Sequence, residues 1–207
     1  MTDPSPSASP APDCGIDPFR PAPSPWVLRF LPDVVAGRSV LDVACGGGRH
    51  LRAALALGHP ATGVDRDIKG LADLAGRPDL RLIAADLEAG APPPFAGERF
   101  GAVIVTYYLW RPLLPAICAA VADDGMLIYE TFVRGQIHGG KPVRDAFALQ
   151  PNELAAIAIA AGLVIVAFDH GRLDDGTELL RDQRLVQRIC AVGRDHPFAK
   201  PGSLRRL

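Results

Sequence analysis

The chain lacks most of the features that settle a protein's class at a glance. It has four cysteines, Cys14, Cys45, Cys118 and Cys190, and no two of them stand in C-x-x-C spacing. That excludes a zinc ribbon or a disulfide framework as the organising principle. No apolar run approaches the roughly twenty residues of a membrane-spanning helix. The N-terminus has neither the basic start nor the apolar centre of a signal peptide, so a reducing, cytoplasmic setting is expected. Charge of one sign is missing too. The net charge is −1, which argues against a dedicated nucleic-acid surface. Nothing repeats internally, and the length fits one principal domain.

Two nucleotide motifs are absent as well. A dinucleotide fingerprint needs G-x-G-x-x-G, and nothing fills its third glycine position. A P-loop needs Gly-Lys-Ser/Thr, but Arg49-His50 follows the glycines. What is present is Val40-Leu41-Asp42-Val43-Ala44-Cys45-Gly46-Gly47-Gly48-Arg49-His50. It reads as a buried strand, a glycine turn and the start of a helix. The turn has no Cβ atoms to hold a ligand away from the backbone. The helix start supplies free N–H groups and partial positive charge. Such a junction binds nucleotide-like ligands at the carboxyl edge of a parallel sheet.

Three further strand-like runs end in polar residues. Ala61 to Asp65 ends in a carboxylate about twenty residues past the glycine turn, the spacing at which an acid reaches ribose hydroxyls. Leu80 to Ala85 leads to Asp86, which can accept a hydrogen bond from an adenine amine. Phe100 to Val105 leads to Thr106-Tyr107-Tyr108, aromatics that can wall a pocket for a cation or an apolar ligand. Asp42, inside an apolar strand, must be paired or hydrogen-bonded. Arg49 and His50 put positive charge at a helix start, where it is unfavourable without a partner. Asp67 reads as a helix cap and Cys45 as a small side chain that fits the turn.

The first of these segments resembles the opening motif of class I S-adenosylmethionine-dependent methyltransferases, D/E-x-G-x-G-x-G. Asp42, Ala44, Gly46 and Gly48 occupy its positions, with Ala44 replacing the first glycine. Tyr108-Leu109-Trp110-Arg111-Pro112-Leu113 and Asp124-Gly125-Met126-Leu127-Ile128-Tyr129-Glu130-Thr131-Phe132 resemble a small bacterial group within that family, related to the tellurite-resistance methyltransferases. That resemblance covers about residues 26–194. It implies S-adenosyl-L-methionine as cofactor, held by Asp42, Ala44, Cys45, Gly46, Gly48, Arg49, Asp65, Arg66, Asp86, Leu87, Thr106 and Tyr107. Asp42 is expected near the methionine amino group, and Arg49 is a candidate for the methionine carboxylate. Candidate catalytic residues are His138, as a general base, with Tyr107 and Arg111. Arg111 can read an anionic substrate or pair with Glu130. His170 is a weaker candidate base, and no metal is expected.

Residues 1–24, rich in Pro, Ser and Ala, read as disordered. Residues 25–194 form the methyltransferase domain and 195–207 a tail. Helices are expected at Pro25 to Val35, with Pro32 interrupting, at Arg49 to Leu57, Ile68 to Leu74, Pro112 to Ala122, and Pro151 to Ala161. The fifth strand is expected at Met126 to Phe132. Residues 133–149 form a long loop of the kind that carries function or disorder. Leu163 to Phe168 and Leu185 to Val192 close the pattern as a hairpin. The expected fold is α/β: a Rossmann-like, doubly wound, seven-stranded, mostly parallel sheet with an antiparallel terminal strand.

The expected reaction is methyl transfer to a small-molecule acceptor, a thiol or other soft nucleophile. The alternatives are an RNA- or protein-directed enzyme of the same fold and a non-catalytic adenosyl-binding module; a nicotinamide dehydrogenase is a poorer fourth. The positive bias of Arg181, Arg184, Arg188, Arg194, Arg205 and Arg206 reads as a solvated edge and tail, because no aromatic stacking set accompanies it. Membrane partners are not expected, and the sequence leaves the oligomeric state open.

Overall fold

A computed structural model describes residues 21–138, 141–173 and 184–203. Its main sheet contains seven strands: β1 (Val40–Val43), β2 (Ala61–Asp65), β3 (Leu80–Ala84), β4 (Phe100–Thr106), β5 (Val121–Phe132), β8 (Val164–Leu173) and β9 (Arg184–Val192). They lie in the order β3-β2-β1-β4-β5-β9-β8. The first five pair in parallel, and β9 runs antiparallel to both β5 and β8. This is the expected doubly wound sheet, and the order reverses between β1 and β4, where such sheets open a crevice.

Strand alternation divides the core into two layers. Val40, Ala102, Ile104, Met126, Ile128, Cys190 and Val192 face one layer with Trp26, Phe30 and Leu51. Leu41, Val43, Val103, Val105, Leu127, Tyr129, Ile189 and Ala191 face the other, with Ile117 and Leu154. The first layer is covered by α1 (Pro25–Phe30) and α2 (Arg49–Ala56), the second by α3 (Leu114–Ala119) and α4 (Glu153–Ala160).

Several elements differ from expectation for identifiable reasons. Pro32 does interrupt the leading helix, which tightens into a 3-10 turn at Leu31–Asp33. The segment Lys69–Leu74 is a 3-10 helix; only Leu71 and Leu74 need burial, and their spacing of three suits that narrower period. The helix expected to reach Ala122 stops at Ala119, and Val121 begins β5. There a register shift separates the Phe100 and Ala102 pairings, and Gly125 lets the backbones close up. A Cβ at Gly125 would lie 2.5 Å from the Phe100 carbonyl oxygen. Pro151 sits two residues ahead of α4, whose N-cap Asn152 adopts a left-handed φ of 61°.

The long loop is partly built. It carries a ribbon of β6 (Ile137–His138) and β7 (Lys141–Pro142) and a 3-10 turn at Asp145–Phe147. Its base is closed, because Leu149 N–H donates to the Phe132 carbonyl at 2.9 Å and Arg134 N–H to the Leu149 carbonyl at 3.1 Å.

Candidate functional site

Because β1 to β5 are parallel, their carboxyl ends share one edge of the sheet. Asp65, the glycine turn, Thr106 and Glu130 all stand there. Alternation then selects a face. Asp42 shares its parity with Val40, Thr106 with Ile104, Glu130 with Ile128, and Arg188 with Cys190 and Val192. All four therefore turn toward the layer covered by α1 and α2.

The glycine turn is clasped from β2. Gly46 N–H donates to Asp65 Oδ2 at 2.8 Å, and Asp67 N–H donates to Asp65 Oδ1 at 3.0 Å. A carboxylate offers about four lone-pair directions, so Asp65 keeps acceptor capacity toward the edge. Ala44, Gly46 and Gly48 have φ of 56°, 50° and 71°. A side chain at Gly48 would be strained and would displace Leu71, since a Cβ there would lie 2.6 Å from Leu71 Cδ2. By contrast, nothing stands within 4 Å of where Cβ atoms on Gly46 and Gly47 would project. The turn is a cradle with an open front. Asp67 accepts from Lys69 N–H, as a local cap.

Asp42 is 1% exposed, and its Oδ2 has no hydrogen-bond partner. Burial pushes its pKa up to about 8, with Arg49 opposing the rise and Asp65 adding to it. His50, also 1% exposed, places Nδ1 3.8 Å from that oxygen. The two do not form an ion pair. Burial, aided by Arg49, lowers the His50 pKa to about 3, so its ring is neutral. The Ser24 N–H donates to His50 Nε2 at 3.1 Å, so the ring proton sits on Nδ1, facing Asp42.

Ser24 belongs to a strap that crosses the site. Its hydroxyl donates to Glu130 Oε1 at 3.2 Å, and Arg49 donates to the Ala22 carbonyl at 3.1 Å. Trp26 Nε1 donates to the Ile189 carbonyl at 3.1 Å, and its ring lies under Arg188, whose Cζ is 4.6 Å from the ring centroid. Residues 21–24, expected as the end of an unstructured segment, thus lie along the site; 1–20 fall outside the described residues. Sequence reasoning passed over Ser24 and Arg188 here and gave Glu130 no site role. A carboxylate two residues past Ile128 on the same strand face was the available signal.

At the tip of β4, Arg49 donates to Thr106 Oγ1 at 3.4 Å and lies 5.6 Å from the Tyr107 ring centroid. Tyr107, at φ 54°, stacks on Phe132 with centroids 5.0 Å apart, and Arg184 donates to its hydroxyl at 2.7 Å. Burial first, and then Glu130, push the Tyr107 pKa up to about 12, so its hydroxyl stays protonated at neutral pH. The buried Tyr108 hydroxyl has no partner. Burial and the nearby Glu88, Asp86 and Asp65 raise its pKa. Asp86 is exposed, and one of its oxygens accepts from Glu88 N–H at 2.9 Å.

Other candidates lie apart from this edge or contribute only packing. Arg111 pairs with Glu153 at 2.7 and 3.0 Å, and not with Glu130; it also donates to the carbonyls of Ala146 and Ala148. It is a clamp on the loop and α4. Leu87 packs against the second core layer. Arg66 and His170 are exposed. Burial raises the Cys45 thiol's pKa, leaving it a neutral packing group. The side chain of His138 lies outside the described residues, as do Cys14, Arg181, Arg205 and Arg206. Among the described residues no group of three or more His, Cys, Asp or Glu is placed to hold a metal ion.

No family model matches the chain, and no curated protein matches it. Solved structures do. One is an S-adenosylmethionine-dependent methyltransferase from Mesorhizobium loti, 18% identical, covering 80% of this chain and 95% of its own, with a TM-score of 0.58. TehB from Haemophilus influenzae is 18% identical over 81% of this chain and 61% of its own, with a TM-score of 0.60. The 1,6-didemethyltoxoflavin-N1-methyltransferase of Burkholderia thailandensis, solved with its substrate and S-adenosylhomocysteine, is 22% identical over 81% of this chain and 76% of its own, at 0.59. Sheet order, glycine turn and these neighbours agree: the chain has the fold of the S-adenosylmethionine-dependent methyltransferases.

Proposed function

We propose that residues 25–194 form a methyltransferase that takes S-adenosyl-L-methionine as cofactor and a small molecule as acceptor. The observation that carries this reading is the pair of buried, unpartnered polar atoms at the sheet edge, Asp42 Oδ2 and the Tyr108 hydroxyl. A buried polar atom without a partner costs about 1–3 kcal/mol. Two of them beside an open glycine cradle suit a ligand carrying both an amino acid end and an adenosine end. Asp42 meets the ammonium and Arg49 the carboxylate. Asp65 accepts from the ribose hydroxyls, and Asp86 accepts from the adenine amine while Tyr108 borders the same end.

The cofactor supplies a methyl group already activated by a sulfonium charge. The chain's part is therefore orientation and exclusion of water. Tyr107 and Phe132 form the aromatic floor, and the strap from Ala22 to Trp26 shields it. Among the described residues no group stands out as a general base. A soft acceptor such as a thiolate needs none. A small acceptor also fits a rim on which Arg184 is engaged with Tyr107 and Arg188 with Asp169. No helix among the described residues is long and apolar enough to cross a membrane, and we place the activity in the bacterial cytoplasm.

Calorimetric titration tests the reading. S-adenosylhomocysteine should bind with a Kd on the order of micromolar, and NAD should give no heat. Asp65→Ala should weaken binding at least tenfold and Asp67→Ala less than threefold. Tight NAD binding with no response to S-adenosylhomocysteine rejects the assignment.

A further inference from the structure

His50 stands between the strap and Asp42. Through Nε2 it accepts the backbone N–H of Ser24, in the strap, at 3.1 Å. Through Nδ1–H it faces the unpaired Asp42 Oδ2 at 3.8 Å, beyond hydrogen-bond range. The imidazole cannot donate in both directions, so the strap's bond fixes the tautomer that points at Asp42.

We propose that His50 is a positioning residue that couples filling of the Asp42 subsite by a ligand ammonium to firmer holding of the strap. This rests on the cofactor reading above. When an ammonium arrives beside Asp42, the carboxyl ionises and its proton passes to bulk water. The new carboxylate draws Nδ1–H into a charge-assisted hydrogen bond. Donation from Nδ1 makes Nε2 a better acceptor, and the Ser24 N–H is held more firmly. The strap's existing hydroxyl bond to Glu130 and the Arg49 bond to Ala22 are then held more firmly together with it. The charged groups facing this relay are Arg49 and Asp65 beside Asp42, Arg49 beside His50, and Glu130 with Arg188 on the far side of Ser24. Burial first, and then Arg49, oppose protonation of the ring, which keeps His50 a neutral relay.

Nuclear magnetic resonance on the full chain tests this in two stages. Without ligand, the ring nitrogens of His50 should report the Nδ1–H tautomer; an Nε2–H tautomer overturns the proposal. With S-adenosylhomocysteine added, the Ser24 amide should exchange at least about tenfold more slowly in the wild-type chain. His50→Asn keeps a donor near Asp42 but cannot reach Ser24, and its ligand-bound Ser24 amide should exchange within about twofold of its free rate. His50→Gln presents a carbonyl to Ser24 without the facing Nδ1–H, so its Ser24 protection should not change with ligand. It also serves if the asparagine variant fails to fold. Binding heat in the wild-type chain with no slowing at Ser24 overturns the coupling alone, as does His50→Asn or His50→Gln responding like the wild type. No binding heat in the wild type overturns the cofactor reading as well.

Discussion

Burial of a carboxyl group with one unpaired oxygen makes Asp42 a residue whose proposed function and stability oppose each other. Its pKa in the fold, about 8, lies above the 3.8 of a free aspartate. A raised acid contributes stability that is complete below the unfolded pKa and is lost as pH rises through the folded value. The free chain therefore loses stability from Asp42 up to about pH 8. His50 works the other way. Its pKa falls from 6.5 to about 3, so its contribution is present above about pH 6.5 and lost as pH falls toward 3. Between pH 6.5 and 8 Asp42 acts almost alone. Asp42→Asn should remove that slope, and its advantage over wild type should grow by about 2 kcal/mol from pH 6 to pH 8. Urea unfolding of the ligand-free proteins measures this. The same substitution should weaken S-adenosylhomocysteine at least tenfold. A variant less stable than wild type at pH 8 would show that Asp42 is satisfied by the protein itself.

At the scale of elements, Arg111 shows how a plausible site residue is claimed by its neighbours. Its guanidinium forks onto Glu153 and reaches the carbonyls of Ala146 and Ala148, tying the 3-10 turn at Asp145–Phe147 to the start of α4. Arg111→Ala should destabilise the chain by about 2 kcal/mol, because it strands a largely buried carboxylate and two carbonyls. Binding of S-adenosylhomocysteine should stay within threefold, and a larger loss would return Arg111 to the site. Such long-range pairing is not readable from the sequence, where Glu130 and Glu153 were equally available. What was readable was periodicity. The strands β1 to β4 begin at the expected residues, and the Arg49 helix stops at Ala56, just before Gly58, whose φ is 81°. Where a tertiary constraint outweighed local preference, the reading failed. The Gly125 approach drew Val121 and Ala122 into β5, and two buried leucines three apart favoured a 3-10 helix over the expected α-helix at Lys69–Leu74. The three carboxylates were legible because each sits at or near a strand tip. The strap was not, because its hydrogen bonds join residues 26 to 163 positions apart.

For the molecule as a whole, the sheet's topology places the proposed ligand contacts on separate segments. Asp42, Asp65, Asp86, Thr106 and the strap come from five stretches of chain, brought together at the parallel part of one sheet. A ligand that touches all of them binds the folded state and has no counterpart in the unfolded chain. Its binding energy must therefore appear as stability of the whole domain. At a hundredfold excess over Kd the gain is about 2.7 kcal/mol, which for a chain of this size is a rise in melting temperature of about 5–10 °C. S-adenosylhomocysteine should produce that rise in differential scanning calorimetry, and NAD should not. Asp65→Ala should lower the response at fixed ligand concentration, whereas Arg111→Ala should start from a lower melting temperature and rise by a similar amount. A rise confined to a local transition, with the main unfolding peak unmoved, would mean that the ligand touches one segment and that the shared crevice is not its site.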